Sequence, residues 1–462
     1  MEKSVPFTLK ELEDFKSKYS TPYYLYDGDS IKINGINYIN TFKEKFVGFK
    51  QFFAVKALPN PSILKLLKDC GMGFDCSSPE EIQIIRWIDK IDYEFTNQYN
   101  NSQIFYTSNF SSSKDIAFAL KNDCLLNLDD IDGLENLINS KMTIPNTICF
   151  RYNPTIIVNP DIKSNNFVGN SSKFGMDHTM IIQAYVKAKE LGIINFGLHT
   201  MCVSNELDLK VWENIISNLF ELVNELKQLY SIEIKFINIG GGLGIPYKPN
   251  DILIDLNQFV NNLKAYWDLN ISKYLIDWDI ELYTESGRYI TGSHGYLVSS
   301  VKSIKKTSTN QIFYGLDSCM ANLMSPGMYN SYHHISIPRL DNQTNQIKAN
   351  VVGTLCENND WFCSNRDLPE GIKKEDLIVI HDTGAHSFSM GFNYNSKLKS
   401  PELFKFNKNV ELIRKRENFN NLYGNCVYNY YSKELNDCKF YMKTIICVCM
   451  ILLLLIIILL FI

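Results

Sequence analysis

Lys56 is the residue around which a chemistry can be assembled. It lies in FFAVKALPN, residues 52–60, between Val55 and Ala57 at the end of an apolar run. Apolar surroundings would lower the pKa of its amine and make it a better nucleophile, as in Schiff-base lysines. The bland alternative is a strand-end lysine whose stem lies on protein and whose head reaches water. Other polar residues also follow apolar runs: Asp75, Arg151, His199 and Ser204 in HTMCVS, the triplet Gly240, Gly241 and Gly242, and the run Glu285, Ser286, Gly287, Arg288. Consecutive glycines let backbone N–H groups approach an anion, and an arginine adds a charged fork, so a phosphate suits them. A tight turn uses the same glycines for no chemical purpose.

These residues matter together only if the elements bring them to one place. The strand over residues 52–55 delivers Lys56, after which Asn60 can cap and Pro61 can open a helix. That helix places Ile63, Leu66, Leu67 and Cys70 on one face and stops at Gly71. A strand ending at Asp75 follows, and Ser78 and Pro79 open a second helix with Glu80 and Glu81 in its first turn. Further strands are predicted at 104–107, 125–128, 147–152, 196–200, 235–239 and 281–284, with helices most evident at 180–191 and 207–230. Eight strands with helical crossovers predict a closed (β/α)8 barrel with its site at the C-terminal strand ends. All the polar residues above would then share one rim. A lysine beside a phosphate cradle suggests a phosphorylated aldehyde cofactor, pyridoxal 5'-phosphate.

After residue 290 the pattern changes to apolar runs between polar turns at 295–304, 311–316, 347–355 and 376–380. They predict a mainly β domain over 291–415, with the barrel spanning 30–290. Residues 1–29, including a strand at 23–26, are expected to join the β domain. Net charge is −4, with 46 basic against 50 acidic residues, so no basic surplus points to nucleic acid. The twelve cysteines are scattered without a CxxC pair or metal spacing, which reads as reduced thiols in a cytosolic fold. Residues 416–443 read as a linker. Residues 444–462 carry no charge and follow Lys433, Lys439 and Lys443. They predict one C-terminal transmembrane helix, a tail anchor that leaves the catalytic part in the cytosol.

The motifs FFAVKALPNPSILKLLKDCGMGFDCSS, RYNP, SKFGM, GLHTMCVS, NIGGGLGIPY, ESGR, LCENND and DTGAHSFSMGFNYNSKLKSPEL occur in an order that resembles the alanine-racemase-fold, pyridoxal phosphate-dependent decarboxylases. Diaminopimelate decarboxylases are the nearest match, over about residues 20–405. The resemblance implies that Lys56 carries the cofactor and that Ser204, Gly241, Gly242, Gly287 and Arg288 hold its phosphate. Asp75, Arg151, His199, Ser286 and His386 would complete the cofactor site, with Glu285 facing the pyridine nitrogen. Cys356 would return a proton to the substrate, Glu357 would read a distal ammonium, and Arg288, Ser325 and Tyr329 would meet the substrate. In such enzymes Cys356 and Glu357 would reach a neighbouring subunit, which implies a homodimer with shared sites. Five positions depart from the pattern: Met201 for a histidine, Val203 for a glycine, Ser325 for an arginine, His386 for a tyrosine and Ser286 for a proline. Three readings stay open: a decarboxylase of a diamino or basic acid, most simply meso-diaminopimelate to L-lysine, a related enzyme with another amino-acid substrate, and a non-catalytic paralogue.

Overall fold

Strand and helix alternate from Lys50 onward because the apolar pattern alternates, and the result is a ring. In the computed structural model, which describes residues 3–96, 103–154, 168–169, 172–340, 345–427 and 432–460, eight parallel strands close a barrel. They are Lys50–Ala54, Gly73–Cys76, Ile104–Ser108, Leu125–Leu128, Thr147–Arg151, Asn195–His199, Ile234–Asn238 and Glu281–Thr284. Closure pairs the last with the first, Lys50 opposite Tyr283 and Gln51 opposite Thr284. The period of two along each strand divides neighbours between two cores. Phe53 joins the layer beneath the helices, whereas Phe52 meets Phe105, Cys149, Phe236 and Tyr283 in a separate cluster that fills the ring.

Local sequence explains the first crossover. Asn60 accepts the Ser62 N–H at 3.1 Å, and Pro61 occupies the first turn of helix Pro61–Asp69. Ile63, Leu64, Leu66 and Leu67 are all buried on it, at about 1.5–3 kcal/mol of apolar burial each. Lys56 itself sits in a one-turn 3-10 segment, Val55–Ala57, between that strand and that helix.

The second layer is a nine-stranded sheet. The N-terminal strand Tyr23–Asp27 lies within it, antiparallel to Gly295–Lys306 and parallel to Glu402–Phe406. Strands Ile312–Leu316, Gln346–Val352 and Leu377–Ile380 occupy the predicted runs. Trp361–Pro369 and Asn409–Arg414 were not legible, because their burial breaks the alternation and many of their side chains are solvated. Glu402 ties sheet to barrel: fully buried, it accepts from Tyr26 Oη at 2.7 Å, from the helix-capping Asn60 Nδ2 at 2.9 Å and from Arg414 Nε.

Residues 417–462 form a separate unit. It contains a short helix, Phe419–Tyr423, and a long one, Ser432–Leu460; residues 428–431 of the expected linker lie outside the described residues. The expectation of a transmembrane span at 444–462 is corrected here. Among the described residues no helix is long and apolar enough to cross a membrane. The long helix begins on the polar run SKELNDCKFYMK. The single-pass membrane location and the membrane partner inferred from that span are withdrawn with it.

Candidate active site

The strand ends converge on a cavity of about 310 Å³. Its wall includes Lys56, Arg151, His199, Ser204, Gly241, Gly242, Glu285, Gly287, Arg288 and His386, all foreseen from the sequence. Asp75 lies fully buried beneath it and accepts from Lys56 Nζ at 2.7 Å through Oδ2, while Oδ1 has no partner.

This pairing corrects the expectation for Lys56. Burial does oppose its charge, but Asp75 and Glu285 outweigh burial and raise the amine to about 12. Nearly half of the side chain, 48%, is open to the pocket. The residue is therefore neither a desolvated neutral amine nor a lysine reaching bulk water; it is an ammonium held at the cavity floor.

The two carboxylates divide their charge. Burial and the nearby Glu285 push Asp75 above the usual carboxylate range, against the pull of Lys56. Burial also works against Glu285, yet His199, Lys56 and Arg151 hold it below its ordinary value. Glu285 is fixed by three side chains: His199 Nε2 at 3.2 Å, Asn238 Nδ2 at 2.8 Å and Thr107 Oγ1 at 3.4 Å. The other nitrogen of His199, Nδ1, is buried without a partner. Arg151 approaches Asp129 Oδ1 at 3.4 Å and lies over the Phe174 ring at 4.6 Å. His386, pushed down to about 3 by burial with Arg288 and Lys56 adding repulsion, is neutral, and its backbone N–H donates to Ala57 O at 2.8 Å.

The glycine turn faces this cluster. Gly242 has φ +99, and a Cβ there would meet Val203 O at 2.5 Å. The loop carrying Ser204 locks onto the turn through Glu206 N–H to Gly242 O at 2.8 Å and Gly244 N–H to Glu206 O at 3.0 Å. Met201, which also lines the cavity, accepts the Gly241 N–H on its sulfur at 3.2 Å.

The group implied is pyridoxal 5'-phosphate, and the residues fit it. Gly241, Gly242, Ser204 and Arg288 surround a recess that only glycine backbone leaves open, the Glu285 carboxylate stays ionised, and unpartnered His199 Nδ1 and Asp75 Oδ1 mark unspent polar capacity at the floor.

Comparison with known proteins decides the family. Residues 36–292 match the model of the pyridoxal-dependent decarboxylases, pyridoxal binding domain. The chain belongs to that family. It is a pyridoxal phosphate-dependent decarboxylase. It is 36% identical to Protein TabA of Pseudomonas amygdali pv. tabaci, over 89% of this chain and 93% of that one. It is 30% identical to the diaminopimelate decarboxylase of Methanothermobacter thermautotrophicus, over 88% and 92%. The solved diaminopimelate decarboxylase of Helicobacter pylori, complexed with L-lysine, superposes with a TM-score of 0.77 at 27% identity, covering 89% of this chain and 98% of the other. The barrel and β domain are thus those of the alanine-racemase fold.

Not every foreseen residue of this decarboxylase lies at the cavity. Ser286 turns away from it and is held by Tyr38 Oη at 2.8 Å, with Gln51 Nε2 on its carbonyl at 2.7 Å. Ser325 Oγ meets His333 Nε2 at 2.9 Å. Tyr329, Cys356 and Glu357 are exposed on the β domain, where the Cys356 N–H donates to Asn395 Oδ1 at 2.7 Å. Ser77, Thr107, Asn109, Phe174, Asn205 and Leu243 line the cavity unforeseen. Thr107 and Asn109 had a signal: they close the third barrel strand, where the strand-end rule places functional groups.

Proposed function

We propose that this decarboxylase acts on a diamino or basic amino acid, with meso-diaminopimelate giving L-lysine as the leading reaction, as in lysine biosynthesis. The observation that carries the reading is one cavity holding Lys56, the glycine turn with Arg288, and an ionised Glu285 braced by His199. Lys56 is the covalent attachment point. Ser204, Gly241, Gly242 and Arg288 would hold the phosphate, and the Glu285 carboxylate would favour a protonated ring nitrogen. Pyridoxal 5'-phosphate, when bound, supplies an electron sink for the pair left at Cα as CO₂ departs. Cys356 Sγ then returns a proton to Cα, and Glu357 reads the distal ammonium of the substrate.

Because Cys356, Glu357 and Tyr329 are exposed in the single chain, they serve this chemistry from the β domain of a second copy, so the reading includes a homodimer with shared sites. Residues 30–290 would form the cofactor-binding barrel and 291–415 with 1–29 the β domain.

One observation favours a second reading, another amino acid as substrate. Ser325 stands where the resemblance places a carboxylate-binding arginine, and its hydroxyl is already engaged by His333.

The test is a screen of amino acids for CO₂ release by cofactor-loaded protein, with borohydride reduction and peptide mapping. A pyridoxyl group on the Lys56 peptide and release from meso-diaminopimelate are expected. Label elsewhere, or wild-type release by Lys56→Ala, would refute the assignment of Lys56.

A further inference from the structure

Lys56 has Asp75 and Arg151 has Asp129, but Arg288 has no carboxylate partner among the described residues. It is therefore the cavity cation available to an incoming anion. A long side chain without a counterion needs another means of being aimed, and the structure supplies one. Arg288 Nη1 donates to Tyr247 Oη, and its guanidinium lies 5.7 Å from the centre of that ring. This uses one of the five N–H donors and leaves the others for a ligand.

Tyr247 is fixed in turn. Its N–H donates to Asp251 Oδ2 at 3.1 Å, and its ring meets His333 edge-on with centroids 5.1 Å apart. His333 is 3% exposed and cannot rotate freely, because both ring nitrogens are engaged. The His381 carbonyl accepts at 2.8 Å, so Nδ1 carries the proton. Nε2 is then an acceptor, and the Ser325 hydroxyl donates to it at 2.9 Å. Burial holds the ring down to about 4, so it is neutral in this role.

We propose that Tyr247, His333 and Ser325 are positioning residues that aim Arg288 at the anionic group of its ligand. Ser325 then acts on the site through two intervening side chains. The inference rests on the functional reading above, and it adds a reason for serine at 325: its short hydroxyl reaches a buried imidazole nitrogen. The anion has two possible sources with one chemistry, the phosphate of the cofactor or a carboxylate of the substrate.

The experiment compares wild type with Tyr247→Phe, Ser325→Ala and Ser325→Thr. Dissociation constants are measured for pyridoxal 5'-phosphate and for pyridoxal, which lacks the phosphate, together with kcat and KM for the amino acid that releases CO₂. Thermal unfolding monitors folding. If Arg288 serves the phosphate, Tyr247→Phe weakens pyridoxal 5'-phosphate about tenfold more than pyridoxal, the scale of one charge-assisted hydrogen bond. If it serves the substrate, cofactor binding holds while KM rises about tenfold at constant kcat. Ser325→Ala moves the same quantity in the same direction by about threefold, and Ser325→Thr restores it by returning the hydroxyl. Equal weakening of both cofactor forms, or variants matching wild type in every constant, would overturn the relay. Failure of the functional reading shows separately, as a wild type in which Lys56 takes up no pyridoxal 5'-phosphate.

Discussion

Gly242→Ala separates the two roles a glycine can have in this cavity. Its φ of +99 disfavours any side chain, and its Cβ would lie 2.5 Å from Val203 O and 3.0 Å from Val203 Cγ2. The backbone strain is worth about 1–3 kcal/mol. The contact adds to this, because a carbonyl oxygen at that distance must move and Val203 adjoins Ser204. Gly371 is the control: its φ is +91, but nothing lies within 4 Å of its Cβ. Gly371→Ala therefore carries the strain alone. Both variants should lose stability in thermal unfolding. Only Gly242→Ala should lose cofactor, by about 10- to 100-fold in a pyridoxal 5'-phosphate titration, the equivalent of about 1.4–2.8 kcal/mol. Equal cofactor affinity in the two variants would refute the idea that the turn, held against the Ser204 loop, shapes the phosphate site.

Glu402→Ala should destabilise the protein by about 3 kcal/mol in denaturant unfolding, because it strands Tyr26 Oη, Asn60 Nδ2 and Arg414 together. Asp382 gives a pH signature. Burial, against the pull of Lys3, raises it from 3.8 to about 6, which at about 1.4 kcal/mol per pKa step is ~3 kcal/mol. A carboxyl raised on folding contributes stability that is present below pH 3.8 and lost as pH rises through about 6. Asp382→Asn should flatten the melting temperature across that window; an unchanged slope would refute the assignment. Glu285→Gln should leave pyridoxal 5'-phosphate bound yet slow CO₂ release by at least about tenfold; release at the wild-type rate would mean that its charge is not used.

The barrel was legible because its signal repeats. Eight apolar runs with capped helices between them leave few other architectures, and the strand-end rule then collects residues as far apart as Lys56 and Arg288 without any long-range information. Strand Trp361–Pro369 escaped the same logic: where neither face is uniformly buried, no period survives to be read. The C-terminal run misled in the opposite way: absence of charge along a sequence does not by itself make a membrane span, and among the described residues no helix is long and apolar enough to cross one. Tyr247 and His333 were invisible because their contribution is an orientation passed between rings, and neither residue type announces it.

The amine at Lys56 was misjudged for a reason that bears on the chemistry. Sequence shows apolar neighbours, which speak for desolvation, but not Asp75 and Glu285, which arrive from other strands and reverse the sign. An ammonium near pKa 12 is not a nucleophile at neutral pH, so a proton must leave before Lys56 can bond to a carbonyl. Asp75 Oδ2 is 2.7 Å from Nζ, its second oxygen is unpartnered, and Glu285 makes a proton on Asp75 less costly by repelling its charge. Asp75 is thus the counterion that holds the amine at the cavity floor, with Glu285 the ionised member of the pair. His199 enforces that division from the far side of Glu285.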